Sequence, residues 1–149
     1  MKREILKSLV VVMLAVSFVS LTAQAQSASQ LQANIPFSFV IGSQTLPAGE
    51  YTIRYVNQDS GKSALLFKSV DGRTSRIVNM NTMQSSRAQM KASLVFNQYG
   101  DSYFLSEVWT GSDQYGLSLP KSGAERRMKN GELSGLEAKR VTVALNAGR

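Results

Sequence analysis

Of the ten carboxylates in this chain, Glu107, with Asp101 and Glu50, comes nearest to a pair suited to acid–base work. Two carboxyl groups flanking one glycosidic bond suffice to hydrolyse it, one protonating the leaving oxygen while the other activates water or attacks the sugar. Asp101 follows Gly100 in a pair suited to a tight turn and Glu50 ends a loop, so each has a conformational reason for its place. Glu107 lies between Leu105 and Trp109 on the apolar side of an alternating segment, where an ionised carboxylate needs a partner. An arginine, Arg54, Arg76 or Arg87, is the expected partner. Glu107 is therefore read first as a buried ion pair or hydrogen bond and only second as a catalytic or ligand-binding group.

The chain has no histidine and no cysteine. Histidine is the usual base near neutral pH, so Ser-His-Asp and Cys-His catalysis are excluded, as are zinc sites built on thiolates. Carboxylate and lysine chemistry survive, but no catalytic motif organises them, and the expectation is a protein that is not an enzyme and uses no cofactor. Met80, Met83 and Met90 could offer thioethers to Cu(I). Their spacing is loose, so they are read as flexible fillers at strand ends and no metal site is expected.

Two further groups could make contacts. Tyr99, Tyr103, Phe104, Trp109 and Tyr115 fall within a short span, and flat aromatic faces stack on sugars. Most are expected to pack across strands. Phe104, on the less apolar face of its strand, and Tyr115, in a loop, are the candidates for exposed ligand contacts beside Glu107. Lys121, Arg126, Arg127 and Lys129 form a basic cluster, with Lys139 and Arg140 further on. Such a cluster is usually a solvated face. If it binds, an anionic lipid surface or an envelope polysaccharide is the expected partner, in a contact that salt weakens; nucleic acid is not expected.

The elements that must position these residues are legible as alternation. Ile35, Phe37, Phe39 and Ile41 repeat at period two, with Pro36 marking an edge, and LPAGEY (46–51) turns the chain into a second strand through Tyr51, Ile53 and Tyr55. Residues 64–70 and 73–80 flank Asp71-Gly72, the dipeptide for a two-residue type I′ turn. Residues 91–99 and 102–110 flank Gly100-Asp101, which sets Gln98 against Tyr103, Phe96 against Leu105, Leu94 against Glu107 and Ala92 against Trp109, all on the core face. Residues 111–116 read as loop. Ser122 with Glu125 three residues on is a capping-box signature for a short helix through Lys129, stopped by Asn130-Gly131. Val141, Val143 and Leu145 alternate in a last strand. About seven hairpin-linked strands and one short helix in the C-terminal half predict a mainly all-β fold, an antiparallel β-sandwich or small β-barrel.

Upstream of this, Lys2, Arg3 and Lys7 precede an apolar stretch from Leu9 to Leu21 and the small-residue exit Ala23-Gln24-Ala25. That is the pattern of a secretory signal peptide over 1–25, cut between Ala25 and Gln26. The apolar run is shorter than the roughly 20 residues that span a bilayer, so no transmembrane segment is expected after processing. Removing Lys2, Arg3, Lys7 and Glu4 takes the net charge from +7 to +5. Residues 26–33, rich in Gln, Ala and Ser, read as a flexible leader, and 34–149 as a single β domain large enough for a core without disulfides.

The segments IPFSFVIG, LPAGEY and YGDSYFLSEVW resemble small exported proteins of environmental bacteria, notably of the acidobacterial kind. The resemblance implies export and a β fold and carries no activity, substrate or cofactor. The expected function is a non-catalytic binding or structural module of the cell envelope, periplasmic or secreted. Two alternatives stand beside it: a carboxylate-dependent hydrolase of extracellular polysaccharide, which requires Glu107 and a second acid in one open cleft, and a small barrel carrying an apolar ligand.

Overall fold

Apolar alternation becomes strands along most of the chain in a computed structural model that describes residues 30–59, 62–111, 113–131 and 138–148. Residues 1–25, which the sequence reads as a signal peptide, lie outside the described residues. Eleven strands follow: β1 (Leu31–Ile35), β2 (Phe39–Ile41), β3 (Gln44–Leu46), β4 (Gly49–Asp59), β5 (Lys62–Ser69), β6 (Ser75–Gln89), β7 (Ser93–Tyr99), β8 (Ser102–Trp109), β9 (Asp113–Ser118), β10 (Lys139–Ala144) and β11 (Asn146–Ala147). Among the described residues one helix, α1 (Gly123–Asn130), lies between β9 and β10. It is capped by the Ser122 side chain, which accepts from the Glu125 backbone N–H at 3.1 Å. Among the described residues no helix is long and apolar enough to cross a membrane.

The expected mainly β fold with one short helix is therefore present. All strands belong to one mixed sheet ordered β10-β7-β8-β9-β6-β5-β4-β1-β11, with β2 off this path, antiparallel to β3 and parallel to β8. The sheet is not closed into a barrel. Its two ends are β10 and β11, consecutive segments joined by Leu145, so the chain itself brings the ends together. Leu145 is buried and its N–H donates to Ala92 O at 2.9 Å at the point where the strand leaves β7 for β1.

Both halves of the sheet turn their apolar face into one core. Phe39 meets Tyr51 of β4 and Phe96 of β7 edge-on, at ring separations of 5.3 and 5.5 Å, so it joins the two halves. Ile35, Ile41, Leu65, Phe67, Leu94 and Leu105 fill the space around it, each essentially inaccessible to solvent. Each such side chain contributes on the order of 1.5–3 kcal/mol. These side chains occupy the space between the two halves of the sheet.

Several expectations are corrected. The alternating run 35–41 breaks into β1 and β2 at Pro36, which has no N–H for a ladder. β1 begins at Leu31, inside the stretch read as leader. The stretch 111–116, read as loop, gives way to β9 from Asp113 onward, because Leu117 finds Val108 and Thr82 opposite it. The Asp71-Gly72 hairpin keeps its expected register, Lys68 opposite Ser75, but its loop spans residues 70–73. The Asp71 carboxylate accepts from Ser69 Oγ at 2.6 Å and Arg73 N at 3.0 Å, which organises the wider loop, and Gly72 supplies φ of 74°.

Candidate binding site on the helix-covered face of the sheet

The β7–β8 hairpin starts in the expected register, with Gly100 at φ 56°, Gln98 opposite Tyr103 and Phe96 opposite Leu105. A β-bulge follows, in which Ser106 is the extra residue, and Val95 rather than Leu94 comes to face Glu107. A one-residue slip reverses every later side chain. Val108 takes the core position opposite Leu94, while Glu107 and Trp109 turn to the outer face, opposite Val95 and Ser93. Glu107 is therefore not on the core-facing side.

The outer face supplies a different partner for Glu107 from the three expected. β10 lies along β7 with Arg140 opposite Asn97. Arg140 donates to Glu107 Oε2 at 2.7 Å, and Trp109 Nε1 donates to the same oxygen at 2.9 Å. Arg54 is exposed on β4, Arg76 sits on β6 with its Nε buried and without a hydrogen bond, and the Arg87 side chain lies outside the described residues. Trp109 lies against β9 where Gly116 is opposite; a Cβ there would come within 2.6 Å of the indole ring, so only glycine leaves room for it.

On the neighbouring rung, α1 is held by a second buried carboxylate. Glu125, 3 % exposed, is the buried residue of the helix. Its Oε1 accepts from Asn97 Nδ2 at 2.8 Å and Tyr99 OH at 3.4 Å. The capping-box reading anticipated its backbone bond to Ser122, whereas the carboxylate itself reaches the sheet. Lys121 Nζ donates to Tyr99 OH at 3.2 Å. One rung, Asn97 opposite Arg140, thus grips both acids: Asn97 holds Glu125 and Arg140 holds Glu107.

Between α1 and the β7–β8 turn lies an open cleft of about 630 Å³, lined by Tyr99, Asp101, Phe104, Ala124, Arg127 and Met128 among others. That volume falls in the range of small-ligand sites, roughly 300–1,000 Å³. Phe104 was expected to be exposed; it does lie on the less apolar face, but at 4 % exposure it is the floor of the cleft, edge-on to Tyr99 at 5.9 Å. Tyr115 is 53 % exposed but stands in β9 opposite Gln84, one residue along from Gly116, so it points away from the face that carries Glu107. The structure does not bring Tyr115 to the other two.

Of the basic cluster, Lys121, Arg126, Arg127 and Lys129 are all exposed. Arg126 donates to Lys121 O at 2.8 Å, and Arg127 lines the cleft. The proposed acid pair is not assembled: Asp101 is on the rim of the cleft, Glu107 is outside its lining, and Glu50 borders a separate depression with Tyr51 and Asp71. Met80 is buried in the core and Met90 is 83 % exposed beyond the end of β6, so the three methionines do not gather either. The sequence reading missed Asn97, Glu125 as a sheet contact, and Arg140; an acid in a helix with mostly basic neighbours was the available signal. Compared with family models, curated proteins and solved structures, the chain matches none.

Proposed function

We propose that this chain is an exported, non-catalytic binding module of the cell envelope, and that its binding surface is the α1-covered face of β7 and β8. The open cleft between α1 and the hairpin, with an aromatic floor and cations on the helix side, carries this reading. Export is supported by the basic start, apolar stretch and Ala23-Gln24-Ala25 exit of the leader. Against hydrolysis stands the use already made of the buried acids: Glu107 is engaged by Arg140 and Trp109, and Glu125 by Asn97 and Tyr99. Neither of these carboxylates lines the cleft. The exposed cations Lys121, Arg126, Arg127 and Lys129 suit an anionic component of the envelope, lipid or polysaccharide.

The test has two parts. Expressed from Met1 in a Gram-negative host, the protein should appear in the osmotic-shock fraction with Gln26 as its first residue. The purified protein should then sediment with phosphatidylglycerol vesicles or bind polygalacturonate at low salt. Binding should drop at least tenfold in the Arg126→Glu, Arg127→Glu, Lys129→Glu variant and at raised salt. Retention in the cytoplasm with Met1 intact, or binding indifferent to both charge reversal and salt, would overturn the reading.

A further inference from the structure

The lining of the cleft is specific enough to name a ligand class. Its floor is the ring of Phe104, its walls are Tyr99 on the sheet side and Ala124 and Met128 on the helix side, and most of this lining is apolar. Met128 is 37 % exposed, an apolar side chain left in solvent along a helix that otherwise shows charge. The charged groups of the lining sit on two rims. The β7–β8 turn carries Asp101, and the helix carries Arg127, which no carboxylate holds among the described residues. Lys121, Arg126 and Lys129 add to the positive field on the helix side. An apolar trough beside a guanidinium that holds no carboxylate among the described residues matches a molecule with an apolar body and one anionic end.

We propose that the cleft binds a free single-chain anionic amphiphile, a fatty-acid carboxylate, with its chain along Phe104 and Met128 and its head group at Arg127. The inference rests on the binding-module reading and deepens it. The guanidinium suits a carboxylate because its parallel N–H groups match the two oxygens, and the neighbouring cations raise the local anion concentration. Asp101 on the opposite rim orients the ligand, since a carboxylate placed there would be repelled. The helix wall exists only while α1 is seated, and α1 is seated through Glu125 on Asn97 and Tyr99. Binding and helix attachment are thereby coupled: ligand contacts with Ala124, Arg127 and Met128 favour the seated helix.

The experiment is calorimetric titration of the purified protein with sodium dodecanoate below its micellar concentration, beside dodecyltrimethylammonium and dodecanol. We expect one dodecanoate per chain, about tenfold weaker binding of dodecanol, and no binding of the cation. Arg127→Gln should bring dodecanoate down to the level of dodecanol, and Met128→Asp, a change at a partly exposed position, should abolish binding. Lys68→Gln, exposed on β5 and outside the cleft lining, should stay within about twofold of wild type. Asn97→Ala, with its fold checked by circular dichroism, should weaken dodecanoate by loosening α1. Equal binding of dodecanoate and dodecyltrimethylammonium, or an unchanged affinity in Arg127→Gln, would overturn the assignment. So would the absence of dodecanoate binding; if the protein still sediments with phosphatidylglycerol vesicles, the module reading stands and the cleft assignment alone falls.

Discussion

Glu107 and Glu125 are buried to similar degrees on one face of the sheet, and the groups that hold them predict different consequences of removal. Glu107 accepts from the buried Trp109 N–H and from Arg140, whose side chain is 59 % exposed. Solvent screens the charge contribution, so Arg140→Met should cost only about 1 kcal/mol in urea unfolding. Glu107→Ala also strands the indole N–H and should cost about 1–3 kcal/mol, with a shift in tryptophan emission. An unchanged midpoint in Glu107→Ala would contradict the structural role. Asp71 and Tyr51 set the pH limits. The Ser69 hydroxyl first, then the Arg73 amide, hold the Asp71 carboxyl below its ordinary 3.8, so its contribution is complete above that pH and is lost as pH falls through the lowered folded value. Burial first, then the Asp71 charge, push the Tyr51 phenol above 10.0, so stability present below pH 10 is lost as pH rises toward the raised value. Unfolding midpoints should therefore fall on both sides; Asp71→Asn should flatten the acid limb and, by removing the charge beside Tyr51, reduce the alkaline fall without abolishing it, since burial is the larger cause.

At the scale of elements, α1 is attached by a polar peg rather than by an apolar stripe. Glu125→Ala should release the helix from the sheet, seen as faster amide exchange over residues 123–130 with β7 and β8 still protected. Uniform loss of protection would show instead that the helix is integral to the core. Gly116→Ala sets a methyl into the Trp109 ring and should destabilise by about 1–3 kcal/mol. The hairpins were legible because turn chemistry and register are local: Asp71-Gly72 and Gly100-Asp101 each fixed the opposing residues near them. The bulge at Ser106 was not, because an extra residue in one strand is stabilised by what lies on both sides, here β7 and β9. Missing it sent Glu107 to the wrong face. The strand β9 was hidden for a similar reason, since the loop-like composition of 111–116 is overridden by the ladders that β6 and β8 offer.

In the whole molecule, the last segment unites the two ends of the sheet. Removing residues 139–149 takes β10 from β7 and β11 from β1 together, and should leave a chain that aggregates through the two exposed edges. Stopping after Leu145 keeps β10 and the buried hinge, and should give a folded protein of reduced melting temperature. The strand itself was visible in the alternation of Val141, Val143 and Leu145, but its neighbours were not, since pairing across the chain leaves no local mark. The site was legible by halves in the same way: the basic helix and Phe104 stood out individually, while the cleft between them required knowing that α1 folds back over the hairpin. The most direct test is therefore a map of contact: ¹H–¹⁵N spectra of the protein titrated with dodecanoate. Shifts concentrated in residues 99–104 and 124–131 are the predicted result. Shifts centred on residues 47–51 and 69–74, or spread evenly over the chain, would contradict the account.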